Sequence, residues 1–298
     1  MCGIVGLLLK NPGLRPRLGE LMVPMLIGMT QRGPDSAGLA VFTQPVADQL
    51  YKLSLYAGEN AIDWNGFLAA VRAALPGEHQ LRVAANHAVL TTGAPPLLAQ
   101  DWIEANVPDL TVLSVGRAID LYKDIGAPAA VAKRYGFAQL QGTHLVGHTR
   151  MATESAVTPA HAHPFTAGHD FCLVHNGSLS NPHLVRRKLE PFGIEFETDN
   201  DTEAACRYFE WRLREGDDLQ TAVQRGFEEL DGFYTFLMGT DGELAIVRDA
   251  FACKPAIVAE TDDYVAIASE FRSLAHLPGV HKAQLFEPKP QQVYAWKV

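Results

Sequence analysis

The chain has 298 residues, 47% of them hydrophobic and 20% charged, with a formal net charge of −9. That length supports one large core or two small ones, and the acidic balance argues against nucleic acid or an anionic membrane surface as partner. The N-terminus lacks the basic flank of a signal peptide, no apolar stretch approaches the roughly 20 residues of a membrane helix, and the cysteines Cys2, Cys172, Cys206 and Cys253 form no C-x-x-C pair, so a reduced, cytoplasmic, disulfide-free protein is expected.

In chain order, Met1–Leu9 reads as an apolar strand. Leu18, Leu21, Met22, Met25, Leu26 and Met29 recur at helical spacing, with an interruption expected at Pro24. Gly38–Phe42 reads as a returning strand. Residues 44–142 are less patterned. Phe67–Ala74 and Ala127–Tyr135 look helical, Leu110–Val115 extended, and Ala94-Pro95-Pro96 a loop. This stretch shows no chemistry and is read as an elaborating insertion in a single domain spanning 1–298.

From Thr143 onward strands are dense: His144–Arg150, Phe171–His175, Tyr234–Met238, Leu244–Val247, Ala256–Val258 and Tyr264–Ala268. One helix opens near Asn200 with Ala204, Ala205, Tyr208 and Phe209 inward. Another opens near Asp218 with Leu219, Ala222, Val223, Phe227 and Leu230 inward. Both begin with acidic residues, which suits the helix dipole. A further terminal helix is expected from Ala268-Ser269-Glu270. The pattern fits two packed sheets covered by helices.

Cys2 carries the most chemistry. Removal of Met1 would place a thiol nucleophile and a free α-amine on one residue. An α-amine titrates at about 7.7–8.0 and can serve as a base near neutral pH. A buried cysteine in a first strand is the plainer alternative. Arg32, in Gln31-Arg32-Gly33-Pro34-Asp35, lies in a polar turn, and its fork of N–H donors suits backbone carbonyls around the N-terminus. Arg150, ending Gly147-His148-Thr149-Arg150, suits a carboxylate bidentately, or a surface ion pair. Asn176-Gly177 after an alternating strand is a hairpin signal. The Asn176 side-chain N–H and the Gly177 backbone N–H also suit one oxyanion. Asp201 in Asp199-Asn200-Asp201-Thr202-Glu203 suits either a helix cap or a substrate ammonium. His161-x-His163 lacks a spaced third ligand, so no metal site is expected. No G-x-G-x-x-G or G-K-[ST] occurs, so no nucleotide or flavin site is expected in this chain.

Together MCGIVG, QRGPDSAGLAV, GHTRMAT, VHNGSLSN, TDNDTE, RDAFACKP and ASE closely resemble class II glutamine amidotransferases. The ordered segments run from residue 1 to about residue 275 and skip 44–142. The resemblance implies an α+β fold, the four-layer αββα sandwich of N-terminal nucleophile hydrolases. It also implies a glutaminase half-reaction that passes ammonia to a synthase. Carried over by motif, Cys2 is the nucleophile, Asn176 and Gly177 form the oxyanion hole, and Arg32 supports the nucleophile. Arg150 and Thr153 hold the α-carboxylate of glutamine, and Asp201 its α-ammonium. Met151 stands where an aromatic is usual, and Ala252 where a glycine is usual. The ending at Val298 suggests a stand-alone amidotransferase subunit. Length and FACKP make it most similar to such subunits of N-methylglutamate synthase and glutamate-synthase-like assemblies. Partner subunits of that hetero-oligomer would then carry FMN and iron–sulfur groups, with no cofactor in this chain. A catalytically silent structural subunit, and a hydrolase of γ-glutamylmethylamide that releases methylamine, are the alternatives.

Overall fold

The computed structural model describes residues 2–151 and 158–298. The first strand, β1 (Gly3–Leu9), is buried along its whole length. An unbroken apolar run suits a strand covered on both faces. Helix α1 (Leu18–Gly28) buries Leu18, Leu21, Met22, Met25 and Leu26, and runs through Pro24 without the expected interruption. Pro24 and Glu20 both lie on the exposed side, where water can take the carbonyl that the ring leaves unbonded. Next comes β2 (Ser36–Phe42).

The following stretch holds β3 (Tyr51–Tyr56), α2 (Trp64–Ala74), β4 (His79–Ala84), β5 (His87–Thr92), α3 (Pro96–Asn106) and β6 (Thr111–Gly116). Pro96, expected in a loop, is the first residue of α3, where its missing N–H costs nothing. After β7 (Ile119–Ile125) and α4 (Pro128–Arg134) come β8 (His144–Arg150), β9 (Phe165–Thr166) and β10 (Cys172–Leu179). Helices α5 (Pro182–Leu189), α6 (Asp201–Arg214) and α7 (Leu219–Glu229) then form a block. Side chains cap two of them: Asn200 accepts from Thr202 N, and Asp218 from Thr221 N. The chain closes with β11 (Gly232–Gly239), β12 (Glu243–Arg248), β13 (Ile257–Glu260), β14 (Tyr264–Ala268), β15 (Gln284–Phe286) and β16 (Tyr294–Lys297). In place of a terminal helix after Glu270 there are two short 3-10 turns, Phe271–Ser273 and Val280–Lys282.

Among the described residues the strands form three sheets, of seven (β15-β13-β14-β1-β8-β2-β7), five (β16-β12-β11-β10-β9) and four (β4-β5-β3-β6) strands. Core packing sets the layer order. Val5, Leu7, Leu39 and Leu145 on one face of the seven-stranded sheet pack with α1 and α4 residues such as Met22 and Val131. Ile4, Leu8, Val146 and Ile267 on its other face meet Cys172, Val174, Leu237 and Ile246 of the five-stranded sheet. The outer face of that sheet, with Leu173, Phe236 and Val247, packs against Val185, Ala205, Phe209 and Val223 of the helix block. The result is helix, sheet, sheet, helix, the αββα sandwich expected from the resemblance. Each fully buried Leu or Phe stabilises it by about 1.5–3 kcal/mol relative to exposure.

Residues 51–116 build the third sheet, with a separate apolar cluster that includes Leu53, Leu55, Phe67, Val71, Leu90 and Ile103. β7 then returns to the main sheet as its edge, pairing with β2.

Two segments differ from their sequence reading. Asn176-Gly177 is not a hairpin turn. It lies inside β10, with Asn176 opposite Thr235 and Gly177 opposite Tyr234. Glycine is needed there for another reason. Its φ is +147°, and a Cβ would collide with the Phe233 carbonyl oxygen. The RDAFACKP segment joins strands of different sheets, leading from β12 in one to β13 in the other.

Candidate active site

Cys2 sits at the mouth of β1, between β14 and β8. Several bonds fix its backbone. Ile4 N donates to Ser269 Oγ at 3.0 Å, and Ser269 N donates back to the Ile4 carbonyl at 3.0 Å. Arg32 Nε donates to the Cys2 carbonyl at 3.0 Å. The same guanidinium meets Glu270 Oε1 at 3.1 Å, while Arg272 Nε holds Glu270 Oε2 at 2.7 Å. Glu270 thus spans two arginines and braces Arg32 against the start of the chain. The sequence flagged Ser269 and Glu270 only as a motif, without these roles.

Gly3 pairs with Thr149, so Arg150, the last residue of β8, lies beside Cys2. Asp35 N donates to the Arg150 carbonyl at 3.0 Å, which ties the Arg32 turn to the same corner. Burial pushes the Cys2 thiol above its ordinary value. A hydrogen bond with the Met151 backbone and the positive charges of the amino terminus, Arg150 and Arg32 pull the other way without reversing it. A protonated thiol of this kind requires a base before it can attack.

The second sheet contributes Asn176. Cys172 and Val174 of β10 face the inter-sheet core, and strand alternation puts Asn176 on that same face. Its Nδ2 is buried without a hydrogen-bond partner. An unsatisfied buried donor costs about 1–3 kcal/mol. This one faces the sheet that carries Cys2, where an oxygen acceptor would satisfy it. His148 Nε2 donates to the His175 carbonyl at 3.1 Å and so pins the two sheets together at this end.

Asp201 opens α6 and bonds back to the strand: its Oδ2 accepts from Leu179 N at 2.8 Å. Its Oδ1 lies 3.3 Å from Thr202 Oγ1 and 3.7 Å from His175 Nδ1. Burial acts to raise its pKa, but His175, the Leu179 N–H and Thr202 outweigh it and hold the carboxyl below the usual range. The group is therefore an anion at neutral pH, with acceptor capacity beyond the Leu179 bond. Thr153, expected to help hold the α-carboxylate, lies outside the described residues.

Sequence reasoning missed the histidines behind the site. His148 and His163 stack with centroids 4.1 Å apart. Burial pushes His148 down to about 3 and His163 well below its ordinary value. His161 instead turns outward to Asp199 at 3.2 Å, so the two histidines of His161-x-His163 serve different partners. The described residues contain no group of three or more potential metal ligands. They also include no helix long and apolar enough to cross a membrane. His148 lies within a motif segment, which was the available signal; His163 lies in none.

Comparison with known proteins bears on the fold and the family. A family model described as a glutamine amidotransferase domain matches residues 148–276. The glutamine amidotransferase-like protein GlxB of Rhizobium meliloti is 45% identical over 298 residues, covering 99% of this chain and 98% of that protein. A solved structure of the allosteric regulatory enzyme of purine biosynthesis covers 99% of this chain with a TM-score of 0.63 at 18% identity. Glutamine phosphoribosylpyrophosphate amidotransferase from B. subtilis does the same with a TM-score of 0.61 at 17% identity. The chain spans 46% and 49% of those two structures, which speak for the fold alone. With the rhizobial protein matched end to end and the nucleophile sandwich in place, the chain belongs to the class II glutamine amidotransferase family.

Proposed function

We propose that the chain hydrolyses the side-chain amide of glutamine through a Cys2 thioester and hands the ammonia to a partner synthase subunit. The observation that carries this reading is the buried, unpartnered Asn176 Nδ2 on the strand face turned toward the sheet of Cys2. Once Met1 is removed, the α-amine of Cys2 takes the thiol proton and the sulfur attacks the amide carbon. Asn176 Nδ2 and Gly177 N stabilise the tetrahedral oxyanion. The amine returns the proton to the leaving nitrogen, ammonia departs, and water releases glutamate from the thioester. Arg150, with Thr153, takes the substrate's α-carboxylate, and Asp201 its α-ammonium.

The partner we favour is an N-methylglutamate-synthase-like or glutamate-synthase-like assembly. Its FMN and iron–sulfur groups would sit on partner chains, and no step assigned to this chain runs through them. The FACKP segment supports this choice. The test combines intact mass with an assay on the assembled complex. Mass should show Met1 removed, and glutamine should yield ammonia while Cys2→Ala yields none. γ-Glutamylmethylamide offered in competition should be the poorer substrate. Undiminished hydrolysis by Cys2→Ala would falsify the nucleophile, and a strong preference for the methylamide would replace the substrate.

A further inference from the structure

We propose that His163 and Thr202 are positioning residues that aim the Asp201 carboxylate at the substrate's α-ammonium; this rests on Asp201 reading that group. The argument is one of proton direction. His175 N is a backbone donor, and it points at His163 Nδ1 at 3.3 Å. His163 Nδ1 must therefore accept and carries no proton. A neutral His163 then holds its proton on Nε2, which lies 3.4 Å from Thr202 Oγ1.

Thr202 Oγ1 has two further neighbours, His175 Nδ1 at 3.1 Å and Asp201 Oδ1 at 3.3 Å. A carboxylate oxygen only accepts. His175 Nδ1 faces both Thr202 Oγ1 and, at 3.7 Å, Asp201 Oδ1, so its proton belongs on Nδ1. Thr202 Oγ1 then accepts from two imidazoles, and its single proton goes to Asp201 Oδ1. Every bond runs the same way, from β10 through His163 and Thr202 to the carboxylate. With Oδ2 held by Leu179 N, both oxygens are set.

The relay is itself fixed at its origin. The buried Lys123 amine donates to the carbonyl of Ala162 at 3.0 Å and approaches that of Pro164 at 3.5 Å, the residues on either side of His163. The His163 ring stacks on His148, which is bonded to the His175 carbonyl. Free rotation of the imidazole is thus blocked on two sides.

The test separates this relay from the role of Asp201. Substrates are glutamine and 4-carbamoylbutanoate, which is glutamine without its α-amine. Thr202→Val should raise KM for glutamine about tenfold, the scale of losing one hydrogen bond to a charged group, with little change in kcat. It should leave 4-carbamoylbutanoate unaffected, and Thr202→Ser should restore glutamine. Asp201→Asn should show the same selectivity, and the double variant Asp201→Asn/Thr202→Val should lose no more than Asp201→Asn alone. If Asp201→Asn harms both substrates equally, Asp201 does not read the ammonium and the relay falls with it. If Asp201→Asn discriminates and Thr202→Val does not, the relay alone is overturned. Nitrogen-15 NMR of the native protein decides independently of any variant's folding. The expected signature is His163 protonated at Nε2 and bare at Nδ1, and a proton on Nδ1 overturns the proposal.

Discussion

The nucleophile sandwich and the four-stranded sheet of residues 51–116 are built on different contacts. In the sandwich, apolar side chains join every layer. The small sheet has its own apolar cluster and meets β7 through charged and hydrogen-bonded pairs, with Val89 also packing into the sandwich core beside Tyr122. Lys52 Nζ lies 2.5 Å from Asp120 Oδ1, Arg82 Nη2 2.6 Å from Asp120 Oδ2, and Arg82 Nη1 donates to Tyr122 Oη at 2.8 Å. Leu121 N donates to Ser54 Oγ at 2.9 Å. A polar seam fixes register by direction and depends on few residues. An apolar layer spreads its stabilisation over many.

The sharpest contrast comes from Cys2→Ala against Asp120→Ala. The first should abolish glutamine hydrolysis and leave the urea midpoint unchanged. The second should do the reverse. It leaves the buried Lys52 charge without its counter-ion, although the amine still donates to Thr43 Oγ1 and the Ala118 carbonyl, and breaking a buried pair costs about 3–5 kcal/mol. The loss should appear in the urea midpoint, with turnover per folded molecule retained. A loss below about 1 kcal/mol, the scale of an exposed pair, would mean that apolar contacts hold the small sheet after all. Asn176→Ala comes next. Removing one oxyanion donor raises the barrier by about 2.7–4 kcal/mol, so kcat should fall roughly a hundred- to thousand-fold with KM little changed. A change confined to KM would make Asn176 a ground-state contact.

Acid should act on both regions. Burial lowers His87, beside the small sheet's seam, to about 3, His144 to about 4 and His148 to about 3. The unfolded chain titrates these groups at about 6.5 and binds more protons below that pH. Stability should hold above about pH 6.5 and decline as pH falls toward 4, by up to about 1.4 kcal/mol per unit for each histidine. A urea midpoint flat from pH 7.5 to 4.5 would contradict neutral burial.

The smallest effect concerns Ala252, in the loop between the two main sheets. Its φ of +47° lies in the left-handed region, which favours glycine, the residue expected there from the resemblance. Asp249 Oδ1 accepts from Phe251 N at 2.7 Å and Ala252 N at 3.2 Å, and Arg248 donates to the Ala252 carbonyl, so the loop is held against that strain. Ala252→Gly should raise stability by about 1 kcal/mol, read as a higher melting temperature. A lower one would mean that the methyl group packs usefully.

The same contrast explains what could be read from the sequence. The sandwich was legible because its strands carry apolar faces and its motif residues cluster where they end. The small sheet was not, because its alternation misleads. In Tyr51–Tyr56, Lys52 and Ser54 alternate with Leu53 and Leu55 like a wet face, yet all four are buried. Their partners, Asp120 and Leu121 N, lie on a strand of another sheet, which no local pattern reports. Asn176-Gly177 misled in the opposite sense. Its glycine answers to the Phe233 carbonyl across the ladder, not to a turn. Thr202 and His163 were hidden because a hydroxyl at a helix start and a histidine before a proline each have ordinary local explanations.

The bond between Ile4 and Ser269 joins residues 265 positions apart. β1 lies inside its sheet, with β14 on one side. During synthesis β1 emerges well before β14, and it keeps an open edge until the residues of β14 have followed. Closure of β1 on both sides thus waits for a segment far downstream in the chain.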